Sequence, residues 1–204
     1  LKINKKKFIY LISPNKISKN FYKNLRKVLK TGKVSFFQLR LKKYPLKEKV
    51  KIGNKIKSIC KDYKVKFLVN DSPYLTLKLN ADGCHLGQKD TNIYKAKKIL
   101  GKKIIGITCH NSVNLAKKAI KAKASYIAFG SFNSSKTKKI KHKTTVKILN
   151  KVKKFTKTPI VAIGGINSDN YKNLLLNNAN FLAISGYIWK NKKYKPLQAI
   201  ERLK

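Results

Sequence analysis

The chain has 204 residues, 42% of them hydrophobic, enough for one sizeable core and too many for a disordered tail, so a single domain over residues 1–204 is expected. No apolar run reaches the length of a membrane span, and no membrane partner is expected. The formal net charge is +43, yet only Arg26, Arg40 and Arg202 are arginines among 50 basic residues. Readers of bases and phosphates lean on the planar fork of Arg. Lysine spread over every amphipathic segment reads instead as the drift of A/T-rich coding, so no specific nucleic-acid partner is expected, only weak, salt-sensitive adhesion to polyanions.

Short apolar strands alternate with amphipathic helices from end to end. Residues 8–13 form the first strand, and a helix over about 20–30 stops at Gly32. Residues 34–42 form the second strand, followed by a helix over 46–63 that Pro45 opens. The third strand covers 66–71, a short helix 73–79, and the fourth strand 83–86. A helix over 93–100 ends at Gly101. The fifth strand is 103–108, and a helix capped by Asn111 or Ser112 runs to about 123. The sixth strand, 125–129, leads into a polar loop over about 130–141 and a helix over 144–156. The seventh strand is 159–163, a helix follows from Asp169 to Asn178, and the eighth strand is 181–185. Residues 197–203 form the last helix.

Eight strand–helix units joined by short loops specify an α/β fold, a single-domain (β/α)8 TIM barrel. An open doubly wound sheet is the alternative, but no G-x-G-x-x-G follows the first strand. In such a barrel the chemistry collects at the C-terminal strand ends. The run 36–42 alternates, so Gln38, Arg40 and Lys42 share one face and Phe37, Leu39 and Leu41 the other. A solvated strand face would alternate too. On a strand buried on both sides, however, inward polar residues are costly unless a ligand meets them.

The seven acids are Glu48, Asp62, Asp71, Asp82, Asp90, Asp169 and Glu201. Two of them, Asp71 and Asp90, end adjacent strands on the functional face. Opposite Arg40, Lys42 and Lys138 they fit a Mg2+ that bridges the protein to a substrate pyrophosphate. The plainer alternative is that they pair with those bases. Asp82 and Asp169 read as turn and helix-start residues. A second anion site, for a monophosphate, is expected where Gly164–Gly165 and Ser185–Gly186 follow the seventh and eighth strands, although Gly–Gly alone also makes ordinary turns.

Cys60, Cys84 and Cys109 are odd in number and far apart, which fits reduced thiols in a cytoplasm. Residues 8–12 are too short an apolar run for a signal peptide, which points to the same compartment. Cys84 neighbours His85 and Cys109 neighbours His110. Neighbours on a strand face opposite ways, so zinc is not expected.

Five segments, in this order and spacing, resemble the thiamine-phosphate synthase (thiamine-phosphate pyrophosphorylase) family: QLRLK (38–42), LVND (68–71), DGCHLGQKD (82–90), SSKTK (134–138) and AIGGIN (162–167). The resemblance covers residues 8–189. It implies a transferase that condenses 4-amino-5-hydroxymethyl-2-methylpyrimidine pyrophosphate with 4-methyl-5-(2-hydroxyethyl)thiazole phosphate and releases pyrophosphate through a pyrimidine cation. It also implies that Gln38, Arg40, Lys42, Asn70 and Lys138 hold the pyrimidine pyrophosphate and that Asp71 and Asp90 bind Mg2+. Thr108, Ser135 and Thr137 would line the site, and Gly165, Ile184 and Ser185 would complete the thiazole phosphate pocket. Lys138, Arg40 and Ser135 would be the catalytic residues. Where this chain has Ser135, Thr108 and Gly186, the family often has Thr, Ser and Ala.

Two alternatives remain. A thiazole tautomerase on the same fold would need an acid/base residue, for which His110 stands at a strand end, and would leave the pyrophosphate set unused. A non-catalytic polyanion binder would explain the charge and leave the ordered site unexplained.

Overall fold

The structure is a computed structural model, and it describes residues 7–133 and 143–204. Eight strands pair in sequence order: β1 (Ile9–Ile12), β2 (Val34–Leu39), β3 (Lys66–Asn70), β4 (Gly83–Leu86), β5 (Ile104–His110), β6 (Tyr126–Phe129), β7 (Ile160–Ile163) and β8 (Phe181–Ile184). β8 returns to pair with β1, so the parallel sheet closes into the expected barrel. Around it lie α1 (Phe21–Lys30), α2 (Leu46–Asp62), α3 (Pro73–Lys78), α4 (Ile93–Leu100), α5 (Val113–Lys121), α6 (Lys147–Lys153), α7 (Tyr171–Leu176), α8 (Gly186–Trp189) and α9 (Pro196–Glu201).

Local chemistry sets the helix ends. Ser72, Asn92 and Ser112 accept the backbone N–H groups of Leu75, Tyr94 and Leu115 at 3.1, 2.8 and 3.2 Å, which satisfies donors that a helix start leaves unpaired. Gly32 and Gly101 end α1 and α4 at φ +71° and +58°, a region where side chains are strained.

Several expected elements differ at their ends, β5 reaching His110 and α9 ending at Glu201 among them, and three show a local cause. The second strand stops at Leu39, because the Arg40 N–H donates to Ser13 Oγ at 2.9 Å in place of a strand partner. The helix expected over 144–156 shortens to α6, since the Thr144 N–H donates to Ser131 O at 3.0 Å and ties that stretch to the sixth loop. The helix expected from Asp169 begins at Tyr171, because Asn167 Oδ1 holds the Asp169 and Asn170 N–H groups in a turn. The four-residue α8 was not expected. It follows β8 directly, and Trp189 Nε1–H donates to Ile12 O at 2.7 Å across the chain's two ends.

Period-two alternation divides the apolar residues into two cores. Phe37, Leu39, Phe67, Val69, Cys84, Leu86 and Ile127 point outward into the layer beneath the helices. Tyr10, Ile12, Phe36, Leu68, Tyr126, Ala128, Val161, Phe181 and Ala183 fill the barrel. The rings of Tyr10, Phe36, Tyr126 and Phe181 contact one another at 5.0–6.1 Å and make a floor across the interior. That floor needs a gap in the wall. A Cβ on Gly106 would stand 1.8 Å from Cζ of Tyr126 and 2.3 Å from its hydroxyl.

Gly106→Ala is therefore expected to lower stability by about 1–3 kcal/mol, the usual cost of overpacking, or more where a rigid ring is the neighbour. Urea unfolding checks this, with wild-type stability in the variant as the contrary result.

Candidate active site

Directly above the aromatic floor, four consecutive strands present polar side chains to the barrel mouth. These are Gln38 on β2, Asn70 on β3, His85 on β4 and Thr108 on β5. Gln38 is 2% exposed, and its Nε2–H donates to Asn70 Oδ1 at 2.9 Å. Asn70 and His85 are register partners. His85 Nε2 lies 2.8 Å from Thr108 Oγ1, and its Nδ1 lies 2.9 Å from the hydroxyl of Tyr126. Gln88 holds the same threonine from behind, donating Nε2–H to the Thr108 carbonyl. His85 is half-buried by surface area, with its ring stacked on Tyr126 at 5.7 Å. Burial pushes its imidazole down to about 4; Asp90 opposes this and Arg40 adds to it.

Arg40 and Lys42 do not share a strand face with Gln38. Both lie past the end of β2, on a segment turned by the Ser13 contact. They still reach the mouth. Arg40 Nη1–H donates to Asn15 Oδ1 at 3.3 Å, and Lys42 Nζ pairs with Asp71 at 3.1 Å. Lys42 is more than half exposed, so that pair is a weak tie a bound anion can replace. What strand alternation assigns to one face is delivered by a loop instead.

Asp71 follows β3 at φ +67°, a conformation Asp tolerates better than most residues, and its N–H donates to His85 O at 2.8 Å. Asp90 ends the fourth loop, where its Oδ2 accepts the Gly87 N–H at 2.7 Å. Burial holds the Asp90 carboxyl above its usual range and the neighbouring Asp71 adds to this, while the Gly87 N–H and Lys42 work against it. Two neighbouring carboxylates disfavour each other's charge, which a cation between them would relieve. Their donor set is all oxygen, which suits Mg2+. Among the described residues no group of three His, Cys, Asp or Glu could hold a metal. A two-carboxylate site with the remaining positions taken by substrate oxygens and water is the usual way Mg2+ is held. The residues present fit the ion.

On the opposite rim, Gly164 and Gly165 follow β7 at φ +111° and +60°. A Cβ on Gly164 would stand 2.0 Å from Ser131 Oγ, so only glycine lets the sixth and seventh loops close on each other. Ser185, at the end of β8, donates its hydroxyl to Ser13 O at 3.2 Å. The Ile184 side chain lies in the outer core, so its backbone is what it can offer a ligand. The expected Ser135, Thr137 and Lys138 lie outside the described residues. Cys84 and His85 face opposite sides of β4 as alternation requires, and burial pushes the thiols of Cys84 and Cys109 up to about 12.

Sequence reasoning missed four contributors: His85, Tyr126, Tyr10 and Ser13. Their signal was weak. Tyr10 and Tyr126 sit in apolar runs, where a hydroxyl is easily read as a core ring, and His85 stands out in the sequence only beside Cys84. The parity of β4, with Gly83 and His85 on the same face, was the available clue.

Residues 9–188 match the family model described as thiamine monophosphate synthase. The chain belongs to that family. A thiamine-phosphate synthase of Pelagibacter ubique is 65% identical over 204 residues, covering 100% of this chain and 98% of the relative. One from Erythrobacter litoralis is 38% identical over 196 residues, covering 94% and 92%. The solved thiamine phosphate pyrophosphorylase of Pyrococcus furiosus superposes with a TM-score of 0.86 at 29% identity, over 98% of this chain and 94% of that one. The activity is thiamine-phosphate synthesis, a transferase reaction, and the tautomerase and polyanion-binder alternatives fall away.

The carboxylate pair gives this synthase a pH signature. A carboxyl raised in the folded state binds its proton more tightly there than in the unfolded chain, so the pair costs stability as pH rises through that raised value. In metal-free protein, Asp90→Asn keeps the acceptor for Gly87 and removes the repulsion. It is expected to melt higher than wild type at pH 7–8, with the difference closing toward pH 4. Thermal unfolding across pH checks this, and a variant that melts lower than wild type at pH 8 is the contrary result.

Proposed function

We propose that the barrel mouth condenses a pyrimidine pyrophosphate with a thiazole phosphate, with Mg2+ held by Asp71 and Asp90. The observation that carries this reading is the placement of the scarce acids. Two of only seven stand side by side at the mouth, next to Lys42, with Asp71 directly following Asn70 of the Gln38–Asn70 pair.

Mg2+, when bound, would neutralise pyrophosphate charge in both bound substrate and leaving group. The chain's own groups do the rest. Gln38 and Asn70 form a fixed polar edge inside the barrel, suited to a flat heteroaromatic ring. Arg40 and Lys42 approach from the adjacent loop, where a pyrophosphate joined to that ring would lie. The C–O bond of the pyrimidine methylene breaks, and its electron pair leaves with pyrophosphate. The thiazole nitrogen then donates its lone pair to the methylene carbon to form the C–N bond of thiamine phosphate. Such a step needs charge stabilisation and orientation rather than a strong base. The turned glycines after β7 and the start of α8 after β8 would receive the thiazole phosphate. The three free, buried cysteines suit a reducing cytoplasm as the place of action.

The test is a two-substrate assay with and without Mg2+. Thiamine phosphate and pyrophosphate are expected in equal amounts, only when the metal is present. Asp71→Asn, which preserves the left-handed turn, is expected to lower kcat/KM by more than about 100-fold, since even outer partners of a metal site cost 10–100-fold. Full turnover by this variant without metal would overturn the assignment.

A further inference from the structure

We infer that His85 is a positioning residue, fixed by Tyr126 and Tyr10 in its neutral Nε2–H tautomer so that the Thr108 hydroxyl hydrogen is left to donate to the bound substrate. The inference rests on the reading of the barrel mouth as the substrate site. It follows from counting protons along one chain of contacts: Tyr10 OH to Tyr126 OH at 2.8 Å, Tyr126 OH to His85 Nδ1 at 2.9 Å, and His85 Nε2 to Thr108 Oγ1 at 2.8 Å.

The far end of that chain is closed. Tyr10 is 2% exposed, and among the described residues Tyr126 is the hydrogen-bonding partner of its hydroxyl. The near end is open, because Thr108 is half-buried at the mouth. Three proton arrangements compete. If His85 carried its proton on Nδ1, it would donate to Tyr126, Tyr126 would donate to Tyr10, and the Tyr10 hydrogen would end in the core without an acceptor. Thr108 would then give its own hydrogen to Nε2 and have none to offer. A doubly protonated imidazolium would strand the Tyr10 hydrogen in the same way and would add a charge above an aromatic floor. An unmatched buried donor costs about 1–3 kcal/mol, and a buried charge costs more.

With the proton on Nε2, every hydrogen has a place. Tyr10 donates to Tyr126, Tyr126 donates to Nδ1, and Nε2–H donates to Thr108. The Thr108 oxygen is then occupied as an acceptor, and its hydrogen points away from the protein chain toward the mouth. The wall is cut for this arrangement, since only a residue without a Cβ at position 106 lets the Tyr126 phenol reach His85. Thr108 thereby becomes a donor of fixed sense, matched to a lone pair on a ring nitrogen or an anionic oxygen of the substrate.

The measurement is long-range 1H–15N correlation of the imidazoles in the metal-free and substrate-free protein, with His85 assigned by its loss in His85→Gln. The Nε2–H tautomer is expected throughout pH 6–8. An Nδ1–H tautomer or an imidazolium at pH 7 would overturn the inference. In turnover, Thr108→Val is expected to lower kcat/KM about tenfold, the worth of one hydrogen bond, and Thr108→Ser to restore it. Gln at position 85 still offers a side-chain N–H to Thr108, so His85→Gln is expected to exceed His85→Leu in kcat/KM by about the same factor. Equal rates for Thr108→Val and wild type in an enzyme that makes thiamine phosphate would also overturn the inference. Failure of the wild type to make that product would instead defeat the substrate reading, and the tautomer would still be decided by the spectrum.

Discussion

Closure of the sheet is the constraint from which the rest follows. Each of the eight strands is hydrogen-bonded on both sides, so the backbone has no free edge and each strand must send alternate side chains into the barrel. The interior is narrow. Four aromatic rings fill its waist, and Gly106 gives up a side chain to let one of them lie across. Buried polar residues of this inward parity sit above the rings, at the strands' C-terminal ends. Gln38, Asn70, His85 and Thr108 do so on four neighbouring strands, and their mutual hydrogen bonds offset the cost of removing them from water.

Charge works against a different background. With a net +43, carboxylates are rare, and the ion pairs among the described residues are Lys42–Asp71 and Lys66–Asp82. The second is structural, because Asp82 also accepts the Phe67 N–H at 2.8 Å and so fastens β3 to the start of β4. The first joins two groups that both face the mouth. Surrounding lysines could have neutralised Asp90 as well, yet its proton affinity is raised by burial and by Asp71. Two acids kept together in so basic a chain are what the proposed Mg2+, meeting an anionic ligand, would need. The overall charge adds non-specific attraction for anions and says little about the reaction.

The fold was legible in the sequence because eight apolar runs separated by amphipathic segments admit few parallel arrangements. The carboxylate positions were legible for the same reason, as strand ends define one face. The segment 40–42 was misread because its alternation continues that of β2, while the backbone leaves the sheet at Ser13, a contact 27 residues away in sequence. Parity sends the Ile184 side chain outward and leaves its backbone at the strand end. The Tyr10–Tyr126–His85 chain joins residues up to 116 apart, which no local pattern can reveal. Shape and acids could be read from the chain, and the hydrogen-bond order beneath the site could not.

In the proposed function, a metal and a pyrophosphate meet between Asp71, Asp90 and the bases of the second loop. Calorimetric titration of the protein with inorganic pyrophosphate, at several Mg2+ concentrations and two salt concentrations, addresses it most directly. Each ligand is expected to tighten the other, as linkage requires, and this coupling is expected to disappear in Asp71→Asn. Pyrophosphate binding that ignores Mg2+ and Asp71, and weakens only with salt, would contradict it and leave plain attraction to a basic surface as the explanation.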